Sequence, residues 1–350
     1  MSVLTTSPIT QTHTTEELVT ECDAITRFIQ MASPVDPISI VNLYVSLKSK
    51  PMAILTGAAH SGKSEVVRCL AQYLTDGDPI RSQMMNGHAW WAEKTRDIAF
   101  FIETQTRFNT VKLLAVIEEA WQPENTNSVF VACLTRISPA EVISFFSDLA
   151  FQLQHGQIMR LPRARLTEPI PYPPNLFLIG TMDTTRFDWS DDENLLSKTT
   201  MIQWSEGEMK PTTQRKWESI TLGETGFLRS LIRDEAVARL KLHHILGNEQ
   251  PALHPLLLAE RLLNEQEIRL PGSVKGETLV YVANAWSKDG VGLFDQVTPN
   301  NLATALDLAI VQILLPRISA IIRDSQTLRR RLQEALSQFP SSVEVLESLY

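Results

Sequence analysis

An eight-residue pattern of glycine, lysine and serine is the part of this sequence with the clearest chemistry. Gly57 and Gly62 enclose four residues, and Lys63 and Ser64 follow directly. In a glycine-rich loop the backbone N–H groups point at phosphate oxygens, the lysine contacts the β- and γ-phosphates, and the serine hydroxyl binds Mg²⁺. The pattern therefore predicts a phosphate-binding loop for a nucleotide.

The residues around this pattern predict the strand and the helix that such a loop requires. Residues 52–56 form an apolar run of strand length, and residues 65–74 place apolar side chains at helical spacing. A helix that begins near Lys63 directs the positive end of its dipole at the phosphates. A glycine turn beside a solvated lysine is the alternative interpretation, and it does not require this strand–loop–helix order.

Hydrolysis of a bound nucleotide also needs a carboxylate on a second strand to hold Mg²⁺, and usually a glutamate that polarises water. Two segments are candidates. Glu118 and Glu119 follow an apolar run, but apolar residues at 111–121 recur at helical spacing, so we expect a helix with solvated acids. The strand predicted at 129–134 ends in Cys133 and Leu134, where no acid is present.

Strands and helices alternate through the first 200 residues, and this order predicts a parallel sheet. Ser138 and Glu141 form a capping-box pattern at the start of one of the helices. Besides the elements above, we expect helices at 16–31, 38–47 and 139–153, a strand or buried segment at 98–102, and a strand at 175–180.

Beyond about Trp204 the sequence changes to an almost wholly helical pattern. Glycine-containing residues 272–292 interrupt it and are expected to form an insertion or a connecting loop. We therefore expect an N-terminal tail and helix at 1–35, an α/β nucleotide-binding domain at 36–210 and an α-helical lid domain at 211–350. Within the last domain, helices are expected at 228–246, 255–263, 302–315 and 323–337, and from residue 342 onward.

The composition of the 350 residues limits the class of protein. A hydrophobic share of 43% suffices for a sizeable core, and no apolar run approaches the ~18 residues that span a membrane. With 32 Lys and Arg against 40 Asp and Glu, the net charge of −8 argues against a generic nucleic-acid coat. Three distant cysteines (Cys22, Cys69 and Cys133) suggest neither a metal site nor a disulfide framework. Without a visible secretion signal, we expect a cytoplasmic protein.

Several segments together resemble the AAA+ ATPases of the McrB type, which act in bacterial modification-dependent restriction and related phage defence. The resemblance covers roughly residues 40–340. Its anchors are the loop after MAILT, the segments NTNSVFVACLTRISPAEVISFFSDLAFQL, PPNLFLIGTMDTT and LLSKTTMIQW, and the helical ALDLAIVQILLPRI. It implies a P-loop NTPase AAA+ core with a parallel sheet, an α-helical lid, ATP or GTP with Mg²⁺ as ligands, and a ring of neighbouring subunits.

The chain departs from this family at three positions that would carry catalysis. The resemblance implies an Asp-Glu pair where the chain has Cys133-Leu134, a sensor asparagine where it has Asp183, and an arginine finger where it has Lys198. Lysine does not replace the planar, bidentate guanidinium at a γ-phosphate. The resemblance therefore implies retained phosphate binding with impaired stabilisation of the transition state. Asp183 could still bind Mg²⁺ or orient water.

These observations predict a set of nucleotide-binding residues, with Ser64 as the Mg²⁺ ligand and with one arginine contributed by the lid. They are Gly57, Ala58, Ala59, His60, Ser61, Gly62, Lys63, Ser64, Glu65 and Arg317.

Three functions remain open from the sequence. The first is a nucleotide-binding subunit with weak or absent hydrolysis, which assembles or regulates a defence or restriction complex. The second is an active motor that couples ATP or GTP hydrolysis to DNA translocation and to a partner nuclease in another chain. The third is a nucleic-acid-binding adaptor with a vestigial pocket, which would use Arg160, Arg163 and Arg165 of a proline-rich segment. Arginines in such a segment are more often solvated or salt-bridged.

Overall fold

A five-stranded parallel sheet is the centre of the protein. The computed structural model describes residues 20–32, 35–87, 98–155, 170–183, 192–204, 224–247 and 250–348. The strands are β1 (Met52–Thr56), β2 (Ser82–Asn86), β3 (Phe130–Thr135), β4 (Leu176–Met182) and β5 (Thr199–Gln203). Their order across the sheet is β2-β3-β4-β1-β5, and every neighbouring pair is parallel. The predicted α/β class with a parallel sheet is confirmed.

Helices precede, connect and follow these strands. Those up to β5 are α1 (Glu21–Ala32), α2 (Pro37–Ser49), α3 (Lys63–Leu74), α4 (Ile98–Ala120), α5 (Pro139–Val142), α6 (Asp148–His155) and α7 (Glu193–Lys198). Those after β5 are α8 (Glu224–Ser230), α9 (Glu235–Leu246), α10 (Gln250–Asn264), α11 (Ser273–Asn284), α12 (Asn301–Ala309), α13 (Leu315–Asp324), α14 (Gln326–Ala335) and α15 (Pro340–Ser348). Single π-helical turns, Ile143–Ser147 and Ile310–Leu314, join α5 to α6 and α12 to α13.

The sheet separates two buried apolar clusters because successive side chains of a strand point to opposite faces. In β3, Val131 and Cys133 belong to the cluster that contains α1, α2 and α3. Ala132 and Leu134 belong to the other, which α4, α5, α6 and α7 complete. The first cluster continues through the helices that follow β5, so these helices share a core with the α/β part. The predicted boundary near residue 211 lies outside the described residues, and the domain division stays a prediction.

The α/β part differs from the sequence prediction in two places. Residues 98–102 are the first turns of α4 rather than a strand, because no glycine or proline interrupts the 23 residues of that helix. The sequence pattern also does not predict β2. This strand pairs only with β3 at the edge of the sheet, and its sequence SQMMN has no β-branched residue to signal it.

Two helix starts bear on the predicted boundaries. The described part of the first helix begins at Glu21, where Thr20 and Asp23 form a reciprocal cap in which each backbone N–H donates to the other side chain. Residues 16–19 of the predicted helix lie outside the described residues. Residues 228–246 divide into α8 and α9, since Asp234 accepts a hydrogen bond from the Val237 N–H (3.0 Å) and starts a new helix. The capping box of Ser138 and Glu141 is confirmed.

The segment at 272–292 contains a buried helix, α11, where a connecting loop is predicted. Nine of its twelve residues are buried, so no polar face marks it as a helix in the sequence. A β-carbon at Gly276 would overlap the Glu235 carboxylate, the end of a flexible and exposed side chain that can move aside.

One helical stretch, Asn301–Asp324, is long and apolar enough to cross a membrane, although no such segment is predicted from the sequence. It is the only one in the described part of the chain, and 72% of its most apolar window is buried inside the fold. Burial of this kind is typical of a core helix in a soluble protein.

Candidate nucleotide-binding site

The loop between β1 and α3 lies at the carboxyl edge of the sheet, where open α/β sheets bind their ligands. Gly57 follows β1 directly, and a β-carbon there would overlap the backbone carbonyl of Trp204, which follows β5. Gly62 has a left-handed backbone (φ +83°) and precedes the first residue of α3. The two glycines therefore allow a close approach to β5 and a sharp entry into the helix. The predicted strand–loop–helix arrangement is confirmed.

Trp204 holds the loop from the β5 side. Its backbone N–H donates to the Thr56 carbonyl (2.7 Å), and its indole N–H donates to the Ser61 carbonyl (3.1 Å). The side chain is buried. These two hydrogen bonds fix both ends of the loop, whereas Ala58, Ala59 and His60 between them are exposed.

Lys63 lies inside the loop with only 3% of its side chain exposed. Its ammonium group donates to the carbonyls of Gly57 (3.1 Å) and Ala58 (2.5 Å) and to the Ser61 hydroxyl (3.0 Å). The Asp183 carboxylate, one residue beyond β4, lies 3.1 Å from the same nitrogen. The oxygens around Lys63 are those that phosphate oxygens would replace, and Asp183 supplies the negative charge among them.

Ser64, the predicted Mg²⁺ ligand, contacts β4 through Thr181. The two hydroxyl oxygens are 3.2 Å apart. Thr181 also accepts a hydrogen bond from the backbone N–H of Arg136 (2.9 Å), the residue that follows β3. Sequence reasoning does not identify Thr181 because its position beside Ser64 depends on the pairing of β4 with β1.

The structure places no acid at the end of β3. Cys133 and Leu134 are fully buried on opposite faces of the sheet, and burial raises the pKa of the Cys133 thiol. Glu118 and Glu119 lie on α4, as the helical interpretation predicts. From the end of α4 the chain returns to the amino end of β3, whereas the loop lies at the carboxyl edge of the sheet. These two acids therefore lie away from the loop. The described residues contain no group of three or more His, Cys, Asp or Glu side chains that could hold a metal ion.

Arg317, predicted to contact phosphate from the lid, binds two carboxylates in this structure, and its contact with phosphate stays a prediction. Its buried guanidinium binds the carboxylates of Glu193 (2.8 Å) and Glu277 (2.9 Å). Glu277 also binds Lys50 (2.7 Å), two residues before β1. Because the loop follows the other end of β1, the five-residue strand separates Arg317 from the loop by about 16 Å at ~3.3 Å per residue. Burial alone would lower the pKa of Arg317, but the two carboxylates raise it.

The other predicted residues occupy different places. Lys198 ends α7 immediately before β5, at the amino edge of the sheet, so it could act only on a nucleotide held by a neighbouring chain. Glu65 binds Arg68 on the next turn of α3. Arg160, Arg163 and Arg165 lie outside the described residues.

Comparison with known proteins adds no identification to this geometry. No family model matches the chain, and no curated protein matches it.

Asp183 gives a test of the electrostatics of the loop. In the Asp183→Asn variant the carboxylate no longer competes for Lys63 and no longer repels phosphate, so we expect Mg²⁺-free ATP to bind about tenfold more tightly, which corresponds to ~1.4 kcal/mol. Titration of a fluorescent ATP analogue in EDTA and in Mg²⁺ measures the change. Asp192→Asn, at the cap of α7, is the matched control. A weaker Mg²⁺-free affinity in Asp183→Asn would show that the carboxylate assists binding.

Proposed function

We propose that this protein is a nucleotide-binding AAA+ subunit with weak or absent hydrolysis, which assembles or regulates a bacterial anti-phage defence or restriction complex. The observation that carries the proposal is the folded phosphate loop around the buried Lys63, beside a β3 end that has no acid. The resemblance to the McrB type supports the class of complex. ATP is the expected nucleotide because of its abundance, with GTP as the alternative, and the expected compartment is the cytoplasm.

The loop residues account for binding. When phosphate enters, Lys63 exchanges its contacts with loop oxygens for phosphate oxygens, and the N–H groups at the start of α3 face the same charge. Ser64 and Asp183 are the hydroxyl and the carboxylate that would hold Mg²⁺, and one carboxylate with phosphate oxygens is a common Mg²⁺ donor set. The bound ion would neutralise the phosphates and the Asp183 carboxylate together.

The end of β3 accounts for the weak hydrolysis. A thiol and an alkyl side chain cannot orient or deprotonate a water molecule at neutral pH when both are fully buried. Loss of a group that positions water or stabilises the transition state costs about 10²–10³ in rate or more. Nucleotide bound here would therefore persist and stabilise contacts with ring neighbours, while an effector such as a nuclease would belong to another chain.

Separate measurements of binding and turnover test this proposal. We expect the purified chain to bind ATP with Mg²⁺ and to release phosphate at least about 10²-fold more slowly than an active AAA+ ATPase. Glu119→Gln should change neither quantity, because Glu119 lies on α4 and its carboxylate accepts a hydrogen bond from Asn125 (3.0 Å). Ordinary turnover that Glu119→Gln abolishes would refute the proposal, and so would failure to bind either ATP or GTP.

A further inference from the structure

A positively charged cavity of about 530 Å³ lies among the helices that follow β5. The end of α8, one face of α9 and the turn after α11 surround it. Arg229, Lys241, His244 and Lys288 line it, together with one acid, Asp289. One arginine and two lysines thus accompany a single carboxylate, in a chain whose net charge is −8.

Arg229, His244 and Lys288 of this cavity are exposed to solvent, and Lys241 is partly buried. Among the described residues, Arg229, Lys241 and Lys288 form no ion pair with a carboxylate. Elsewhere in the fold, buried lysines are paired: Lys48 with Glu21 (2.6 Å) and Lys50 with Glu277 (2.7 Å). Lys241, which is partly buried, therefore differs from these two lysines in having no carboxylate partner, whereas Arg229 and Lys288 are exposed to solvent.

Lys241 is the most constrained of these cations. Its ammonium group donates to the Trp286 carbonyl (2.7 Å), which leaves two N–H donors for another acceptor. Burial and the nearby charge of Lys48 together lower its pKa to about 8, although Glu21 acts in the opposite direction. An anion in the cavity would compensate this lysine and favour its charged form.

We propose that this cavity binds a small phosphate-bearing anion, at a site separate from the phosphate loop. Arg229 offers a planar fork of N–H donors and Lys241 and Lys288 offer ammonium groups, a combination that suits phosphate oxygens. Ile232 and Ile245 give the cavity an apolar wall for the rest of such a molecule. The volume falls within the ~300–1,000 Å³ of small-molecule sites. The overall negative charge of the chain disfavours a long polyanion such as DNA.

Calorimetric titration with inorganic pyrophosphate tests the site in the full chain. The phosphate loop also binds pyrophosphate under the proposed function, so Lys63→Ala serves as the parent in which only the cavity binds. On that parent we expect Lys241→Gln and Lys288→Gln each to weaken the affinity about tenfold, the effect of losing one charge-assisted contact. Lys275→Gln, an exposed lysine on α11 outside the cavity, should leave the affinity unchanged.

Two further measurements make the result specific. The chain with an intact loop should show two pyrophosphate sites, and Lys241→Gln should weaken only one of them about tenfold. This measurement does not depend on whether Lys63→Ala folds well. Sulfate, which does not titrate in this range, should bind less tightly as the pH rises from 7.5 to 9.5, whereas Lys241→Arg should keep its affinity.

Three outcomes would overturn the inference. In the first, the Lys63→Ala chain does not bind pyrophosphate. In the second, Lys241→Gln and Lys288→Gln leave its affinity unchanged. In the third, duplex DNA displaces bound pyrophosphate at a concentration lower than that of pyrophosphate itself. A single loop site that depends on Lys63 would leave the proposed function intact and refute the cavity alone. A single site that depends on Lys241 would support the cavity and refute the proposed function.

Discussion

Replacement of Lys63 by alanine is expected to weaken ATP binding about hundredfold, the effect of losing charged hydrogen bonds worth ~3 kcal/mol. Lys63 holds its positive charge inside the loop, where its ammonium group already contacts four oxygens. Without it, the Asp183 carboxylate faces the phosphates with no cation between them. Equilibrium titration with a fluorescent ATP analogue in Mg²⁺ measures the loss.

Two controls separate this effect from a general loss of structure. Lys275→Ala removes an exposed lysine far along the chain and should leave the affinity for ATP unchanged. Circular dichroism and thermal melting should show that Lys63→Ala keeps its helices, because the hydrogen bonds of Trp204 still fix the loop. A folded Lys63→Ala chain that binds ATP as tightly as the parent would show that the nucleotide site lies elsewhere.

Replacement of Arg317 by methionine is expected to reduce the free energy of unfolding by about 3 kcal/mol, because two carboxylates lose the cation that pairs them inside the fold. Glu277 retains Lys50, and Glu193 is partly exposed, so the loss should fall at the lower end of the range for buried pairs. The affinity for ATP should change less than about twofold, since Arg317 lies at the opposite edge of the sheet from the loop. Urea denaturation and nucleotide titration give the two quantities.

A matched arginine shows whether the effect depends on burial. Arg330 forms an exposed pair with Glu334 on α14, and Arg330→Met should change stability by less than about 0.5 kcal/mol. If Arg317→Met weakened ATP binding strongly and left stability unchanged, the arginine would act on phosphate as the sequence predicts, and the amino-edge position would not describe the nucleotide-bound protein.

The parts of the site that the sequence predicts are those that depend on neighbours in the chain. The loop from Gly57 to Ser64 is local, because its conformation follows from glycine positions between a strand and a helix. The contact of Lys63 with Asp183 joins residues 120 positions apart and depends on β4 lying beside β1. Thr181 reaches Ser64 for the same reason, and no local pattern identifies either contact.

The position of Arg317 illustrates a second limit of prediction from sequence. Sequence order places it in a late helix, and a late helix can approach either edge of the sheet. Nothing in the sequence around Glu193 and Glu277 indicates that either acid pairs with Arg317. Only the packing of α7 and α11 around α13 brings the three charges together.

Helix α11 is buried on almost every side, so its sequence has no amphipathic pattern. This explains why a loop is predicted there.

The position of Trp204 has a practical consequence. Its indole is a natural fluorophore, and the hydrogen bond to the Ser61 carbonyl attaches it to the loop that we propose as the phosphate site. Indole emission responds to the polarity and the hydrogen bonding of its surroundings, so occupancy of the loop should alter the colour and intensity of this one residue. Six other tryptophans contribute background. Trp204→Phe would identify the signal that belongs to the site, and the protein thus contains its own optical reporter of ligand binding.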